Sequence, residues 1–85
     1  MKIDISISEK LRNFISEATF TDIKDIHNDT LLFSEGLFDS LGFLSLISYL
    51  DEEFKIEVEN DELVEENFES INAITAFIDT KRGIL

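Results

Sequence analysis

The chain has 85 residues, of which 44% are hydrophobic and eight are phenylalanine, a composition that allows one small core and argues against disorder. Its 19 acidic and seven basic side chains give a net charge of −12, which argues against nucleic acid and anionic membranes as partners. The absence of cysteine excludes disulfides, thiolate nucleophiles and cysteine-based metal sites.

The N-terminal residues and the most apolar segment bear on the cellular location of the protein and on membrane insertion. Residues Met1 to Ser8 carry one lysine and no uninterrupted apolar stretch, so they lack the features of a signal peptide. The segment Leu41 to Leu50 is too short to cross a bilayer and is interrupted by glycine and serine. We therefore expect a cytoplasmic protein without membrane insertion, and a single domain over residues 1–85, since no repeat or linker divides it.

The first predicted helix is amphipathic and starts near Ile7, with Ser6 and Glu9 spaced as in a capping box. Apolar residues follow Ile7 at three- and four-residue spacing, which predicts one inward face. These residues are Leu11, Phe14, Ile15 and Ala18.

The periodicity stops in residues 21–38, which indicates a long loop. A loop of this length in a small domain usually has a function. Its apolar residues are expected to turn inward. They are Leu31, Leu32, Phe33, Leu37 and Phe38.

The second helix is predicted to begin at Asp39 or Ser40 and to run to about Glu53. Asp39 is a suitable N-cap because its carboxylate can accept hydrogen bonds from the unpaired amides of the first turn. The predicted inward stripe consists of Leu44, Ile47 and Leu50, with Leu46 beside it.

A short helix is predicted between Asn60 and Glu66, capped by Asn60 and anchored by Leu63 and Val64. The last helix should run from Ser70 to Lys81, and Gly83 should end it. Its inward residues are predicted to be Ile71, Ile74, Phe77 and Ile78.

Two segments resemble strands instead, because apolar and polar residues alternate in them. They are Ile3, Ile5 and Ile7, and Phe54, Ile56 and Val58. This pattern leaves an α+β fold as an alternative, but a lone pair of strands is only marginally stable. The favoured prediction is an all-α four-helix bundle of three longer helices and one short helix, with a long loop between the first two.

One short segment, Gly36 to Leu41, carries the chemistry, because it places Ser40 at the start of a helix. A hydroxyl there projects into solvent beside unpaired amides, and the positive end of the helix dipole favours an attached phosphodiester. The ordinary alternative is that Asp39 and Ser40 form only an N-cap pair.

Three blocks of the sequence resemble the acyl carrier protein family. The first runs from Leu31 to Leu41 and contains Asp39-Ser40-Leu41; the second runs from Leu50 to Ile56, and the third from Glu66 to Ile71. The blocks extend over nearly the whole chain, and their order and spacing are more specific than Asp-Ser-Leu alone.

The resemblance implies a four-helix carrier that is not itself an enzyme. A tethered shuttle has little need of self-association, so we expect a monomer. Ser40 would receive 4′-phosphopantetheine from coenzyme A through a separate, magnesium-dependent phosphopantetheinyl transferase, with Asp39 and Leu41 beside it. Acyl or aminoacyl intermediates would then travel as thioesters on this arm to loading and synthase enzymes with basic or apolar docking surfaces. Leu41 resembles the exposed apolar contact through which such carriers dock.

The second helix departs from the pattern of carriers in fatty acid biosynthesis. Where those carriers usually place acidic residues after Asp-Ser-Leu, this chain has Gly42 and Ser45, so its docking face should be more apolar. The cargo is therefore open between fatty acid and secondary metabolite biosynthesis. The predicted partner-binding residues are Glu35, Leu41, Phe43, Asp51 and Glu52.

Two other functions compete with this interpretation. The net charge and the apolar residues Leu41 and Phe43 also fit an acidic helical module that binds a basic protein surface without modification. A small hydrolase is disfavoured because His27 is the only histidine and no serine is placed in a pattern that would give it a general base.

No metal site is predicted, since no glycine bends the acidic stretch from Asp51 to Glu66 into a calcium loop.

Overall fold

The structure is a computed structural model that describes residues 7–83. The predicted capping residue Ser6 and the strand-like residues Ile3 and Ile5 lie outside the described residues.

Four α-helices and two short 3-10 helices make up the described chain. In order they are α1 (Ile7–Thr19), a 3-10 helix (Ile23–Asp25), α2 (Ser40–Phe54), a 3-10 helix (Asn60–Glu62), α3 (Glu65–Phe68) and α4 (Ile71–Arg82). Residues 7–83 contain no strand, so the predicted all-α bundle of three longer helices and one short helix is confirmed. The strand alternative is wrong for residues 54–58, which end α2 and connect it to the next turn.

Helix α1 buries the face that its spacing predicts. Leu11 and Ile15 are fully buried, and the half-buried Phe14 stacks on Tyr49 of α2 with ring centroids 4.2 Å apart. Ala18, which the spacing predicts to face inward, is exposed instead, because the last turn of α1 extends beyond the core and borders a surface groove.

The long loop between α1 and α2 is held against the bundle by apolar side chains and by backbone hydrogen bonds. Its inward residues are Ile26, Leu32, Phe33, Leu37 and Phe38. The N–H of Leu32 donates to the carbonyl of Glu69 at 2.8 Å, which ties the loop to the chain just before α4. Leu31 does not turn inward as predicted; it is 45% exposed, since its neighbour Leu32 takes the buried position.

The inward stripe of α2 is as predicted except at Leu44. Leu46 and Leu50 are fully buried, and Ile47 packs half-buried against the core. Leu44, however, is 61% exposed, and the half-buried Phe43 points inward in its place. Six of the residues in the first ten of this helix are apolar by sequence, so spacing alone could select either face.

The end of α2 is formed by Lys55 in a left-handed conformation with φ of 59°. Its N–H donates to the Asp51 carbonyl at 3.0 Å, and the next N–H, of Ile56, donates to the Leu50 carbonyl at 3.1 Å. This pattern satisfies the last carbonyls of the helix and turns the buried Ile56 into the core.

The short helical region is placed correctly but anchored differently. The N-cap position of the 3-10 helix belongs to Glu59 and not to Asn60. Leu63 and Val64, the predicted anchors, are each 42% exposed, whereas Phe68 of α3 is fully buried. A two-turn segment of this kind needs one large buried side chain, and Phe68 supplies it.

Helix α4 matches its prediction closely. The Ser70 hydroxyl oxygen accepts a hydrogen bond from the Ala73 N–H at 3.1 Å and caps the helix, and Gly83 ends it with φ of 73°. The four predicted inward residues are all buried: Ile71, Ile74, Phe77 and Ile78.

A chain of aromatic rings fills the interior between the loop, α2, α3 and α4. Phe33 contacts Phe43 with centroids 5.8 Å apart, Phe43 contacts Phe68 at 5.2 Å, and Phe68 contacts Phe77 at 5.1 Å. Rings packed edge to face at these separations stabilise beyond their buried area. They fix α2 relative to α3 and α4, and hence fix the start of α2.

Candidate functional site

The start of α2 is held by a side-chain cap. Asp39 has an extended backbone, and its Oδ1 accepts a hydrogen bond of 2.8 Å from the Gly42 N–H. Asp39 is thus the N-cap that the sequence predicts, and Ser40 is the first helical residue.

The approach to this cap is also fixed. Gly36 turns the chain with φ of 80°, a left-handed conformation that glycine adopts without a Cβ clash. The N–H groups of Leu37 and Phe38 then both donate to the Leu32 carbonyl, at 2.9 and 3.1 Å. The Phe38 side chain is 6% exposed and anchors the backbone directly before Asp39. The segment that leads to Ser40 is therefore ordered by burial as well as by hydrogen bonds.

Ser40 is exposed at the N-terminus of a 15-residue helix. Within residues 7–83 its hydroxyl forms no hydrogen bond, so it can meet an incoming group. The first amides of a helix lack intrahelical partners and carry a partial positive charge, and no acidic residue lies in the first turn of α2. This position can accept and stabilise a covalently attached anionic group, but it offers the hydroxyl no base of its own.

Apolar side chains surround Ser40 on the surface. Leu41 is 74% exposed and Leu44 is 61% exposed, and both lie on the first turns of α2. Phe20, at the end of α1, is 97% exposed. Of these three, only Leu41 was predicted as a site residue. No signal in the sequence identifies Phe20, because its exposure depends on where α1 ends.

A groove of about 470 Å³ lies between the end of α1 and the start of α2. Its walls are residues 18–21 of the α1 end, Gly36 and Leu37 of the loop, and the first turns of α2, including Asp39 and Leu41 on either side of Ser40. Ser40 does not line the groove itself, but both of its chain neighbours do, so the groove adjoins the predicted attachment residue.

The other predicted partner-binding residues are more scattered. Glu35 is exposed next to Gly36 of the groove wall. Asp51 and Glu52 are exposed near the far end of α2, which at 1.5 Å per residue is roughly 17 Å from Ser40. Phe43 is half-buried with its ring against Phe33 and Phe68, because the helix turns this position toward the core, and its contact with a partner stays a prediction.

Titratable groups with altered pKa values lie on other faces. Burial raises the pKa of Tyr49, and the negative charges of Glu53 and Glu17 raise it further. The pKa of Glu62 is lowered by the hydrogen bond from the Glu59 N–H and by the Lys81 ammonium, 2.9 Å from its carboxylate. These groups stabilise the bundle rather than build a catalytic site.

Residues 7–83 lack two further kinds of feature. No three histidine, aspartate or glutamate side chains come together there in a way that would bind a metal ion. The same residues include no helix with the length and apolarity needed to traverse a lipid bilayer.

Comparison with known proteins gives one match. A family model described as the phosphopantetheine attachment site matches residues 9–78, a range that includes Ser40, all of α2 and α3, and most of α1 and α4. A search of curated proteins gives no match.

Proposed function

The chain belongs to the phosphopantetheine attachment-site family, and on this basis we propose that Ser40 bears the 4′-phosphopantetheine arm and that the protein carries acyl or aminoacyl thioesters on it. The family assignment supplies the cofactor, which is 4′-phosphopantetheine. The choice of Ser40 rests on one observation above all: its hydroxyl is exposed on the first residue of a capped helix.

The residues around Ser40 fit a phosphodiester. The unpaired amides of the first turn of α2 favour a negative charge at this position. Asp39 directs its carboxylate to the Gly42 N–H, so its own charge is engaged in the cap. The arm supplies a thiol that forms thioesters, and this chain, which lacks cysteine, contributes no other thiol.

Attachment forms a bond between the Ser40 Oγ and the coenzyme A phosphorus that bears the pantetheine. The pyrophosphate P–O bond to that phosphorus breaks, adenosine 3′,5′-bisphosphate leaves with the bridging oxygen, and the hydroxyl proton passes to a base. The phosphopantetheinyl transferase would supply the base for that proton, because no side chain within residues 7–83 forms a hydrogen bond with the hydroxyl. The role of this protein is to hold the hydroxyl outward and to stabilise the phosphodiester. It is a carrier, and the chemistry on the cargo belongs to its partners.

The partner enzymes that fit the surface have an apolar contact for Leu41 and Leu44 and basic groups toward the acidic residues. Both leucines are more than half exposed beside Ser40. Glu35 is exposed in the loop before α2, and Asp51 and Glu52 are exposed near the other end of α2. Loading and synthase enzymes with a mixed basic and apolar docking surface would match this arrangement. The cytoplasmic location and the monomeric state remain predictions of the sequence.

Intact-mass measurement tests this function. The apo-protein is incubated with coenzyme A, magnesium and a broad-specificity transferase. The wild type should gain the mass of one arm, Ser40→Ala should gain none, and Ser48→Ala, an exposed serine farther along α2, should gain as much as the wild type. An unmodified wild type, or an equal gain on Ser40→Ala, would contradict the proposal.

A second function is favoured by the exposed apolar residues beside a strongly acidic surface: an acidic module that binds a basic partner without modification. For this module, partner binding would survive Ser40→Ala and would weaken with salt as charges are screened. Binding that requires the arm would eliminate it.

A further inference from the structure

The groove beside Ser40 is bounded by Phe20, whose backbone conformation is unfavourable for a residue with a side chain. Phe20 follows the last residue of α1 and has φ of 56°, a left-handed conformation in which a Cβ is disfavoured and glycine or asparagine is preferred. The turn itself is complete without the ring, because the Thr21 N–H donates to the Ser16 carbonyl at 3.1 Å. The ring is 97% exposed, so its burial contributes nothing to folding. A strained, exposed aromatic side chain points to a function outside the fold itself.

The chemistry of the groove matches the chemistry of the phosphopantetheine arm. The arm alternates amides and a hydroxyl with a dimethyl-substituted carbon and short methylene segments. The groove presents apolar side chains in Phe20, Leu37 and Leu41 and hydroxyls in Thr21 and Ser45. Its volume of about 470 Å³ falls within the roughly 300–1,000 Å³ typical of small-molecule sites.

Because the arm is attached to Ser40, weak contacts are enough to hold it in the groove for part of the time. Asp39 and Leu41, the two neighbours of Ser40 in the chain, both line the groove, so an arm on Ser40 starts at its edge. A group held on a short tether has an effective concentration on the order of millimolar near its attachment point. An intrinsic dissociation constant in about the same range would already keep the groove partly occupied.

Aromatic rings fill the interior beside the first half of α2. Phe33, Phe43 and Phe68 are in successive ring contact there, with centroids 5.2 to 5.8 Å apart. An arm or cargo that entered between α2 and α3 would have to displace these rings, and tightly packed cores resist such changes. The surface groove can be occupied without any rearrangement of the core.

From these observations we propose that the groove between the end of α1 and the start of α2 is the resting site of the phosphopantetheine arm, with the Phe20 ring as one wall. The inference rests on the proposed attachment at Ser40. It has a consequence for delivery: Leu41 both lines the groove and forms part of the docking surface, so a docked partner competes with the arm for the same side chain. Docking would then release the arm toward the partner.

Amide NMR spectra of the apo- and holo-protein test the resting site, with intact mass confirming the modification. The Thr19, Thr21 and Ser45 amides should shift on modification, and the arm methyl protons should show contacts with the Phe20 ring. Phe20→Gly should lose these contacts and the shifts at Thr19 and Thr21. Lys55→Gly is the matched control, because it removes the other left-handed non-glycine residue but lies outside the groove, and it should keep the contacts.

The outcomes separate the two proposals. Full mass gain with shifts confined to residues 38–42 would overturn the resting site and leave the attachment at Ser40 intact. Contacts that persist in Phe20→Gly would also overturn it. Absence of any mass gain would overturn both.

Discussion

The Asp39 carboxylate accepts a hydrogen bond of 2.8 Å from the Gly42 N–H, and this bond spans Ser40 and Leu41, the two residues that the proposed function depends on. The cap determines where α2 begins and therefore that the Ser40 hydroxyl stands at the helix terminus. Gly42 leaves room for it: a Cβ at this position would lie 3.4 Å from Asp39 Oδ1 and 3.2 Å from the Phe38 ring.

Replacing the cap should destabilise the protein in a graded way. Asp39→Ala removes the acceptor for the Gly42 N–H and should lower the free energy of unfolding by about 0.5–2 kcal/mol, whereas Asp39→Asn keeps an acceptor and should cost less. Urea denaturation followed by circular dichroism measures both. Equal losses for the two variants would show that the charge of Asp39, and not its hydrogen bond, stabilises the start of α2.

Two leucines on α2 should respond differently to the same substitution. Leu50 is fully buried, so Leu50→Ala should lower the free energy of unfolding by about 2–5 kcal/mol. Leu44 is 61% exposed, so Leu44→Ala should change it by less than about 0.5 kcal/mol. Denaturant titration of the pair checks which face of α2 is inward, and a larger loss for Leu44→Ala would contradict the orientation of the helix.

The two left-handed residues should both tolerate glycine. Phe20 and Lys55 have φ of 56° and 59°, and a Cβ in this region costs roughly 1–2 kcal/mol. Glycine would relieve this cost, but part of the stability gained would be offset by the greater conformational freedom of glycine in the unfolded chain. Phe20→Gly and Lys55→Gly should therefore raise the free energy of unfolding by up to about 1 kcal/mol. A loss of stability in Phe20→Gly would mean that the ring contributes to folding, which would weaken the argument for the resting site.

The hydrogen bond from the Glu59 N–H to Glu62 and the ion pair between Glu62 and Lys81 should make stability depend on pH at both extremes. Glu62 has a lowered pKa, so its contribution is present above its ordinary value of 4.5 and is lost as the pH falls through the lowered pKa. Lys81 has a raised pKa, so its contribution is present below 10.5 and is lost as the pH rises through the raised pKa. At neutral pH both contributions are present.

Glu62→Gln should therefore be less stable than the wild type at neutral pH, and the difference should shrink in acid. Glu57→Gln removes the same charge from an exposed acid in the connection after α2 and serves as the control. Thermal unfolding of the three proteins at neutral and at acidic pH gives the comparison. If Glu62→Gln and Glu57→Gln behave alike, the ion pair has no measurable effect.

The sequence predicts those parts of the fold in which local chemistry decides the outcome. Asp39 is identified as a cap because its side chain can accept hydrogen bonds from the first amides, and Gly83 is identified as a helix end because it tolerates a left-handed conformation. The inward face of α4 follows from regular spacing, since its large apolar side chains all fall on one side of the helix.

The remainder depends on tertiary contacts that a single sequence does not contain. In α2, Phe43 and Leu44 are adjacent and both apolar, and only the packing of Phe43 against Phe68 decides that Leu44 stays outside. Phe68 is recognised as an anchor only once α3 and α4 are placed beside it. Phe20 is a site residue because α1 ends at Thr19, and helix ends are the least certain feature of any sequence pattern.

The attachment of the arm at Ser40 is the central claim, and locating the arm by fragment mass mapping tests it most directly. After modification of the wild type, proteolytic fragments are sequenced by mass spectrometry, which distinguishes Ser40 from Ser34, Ser45 and Ser48 in the same region. We predict that the arm mass is found on Ser40 alone. An arm found on any of the other three serines would contradict the account.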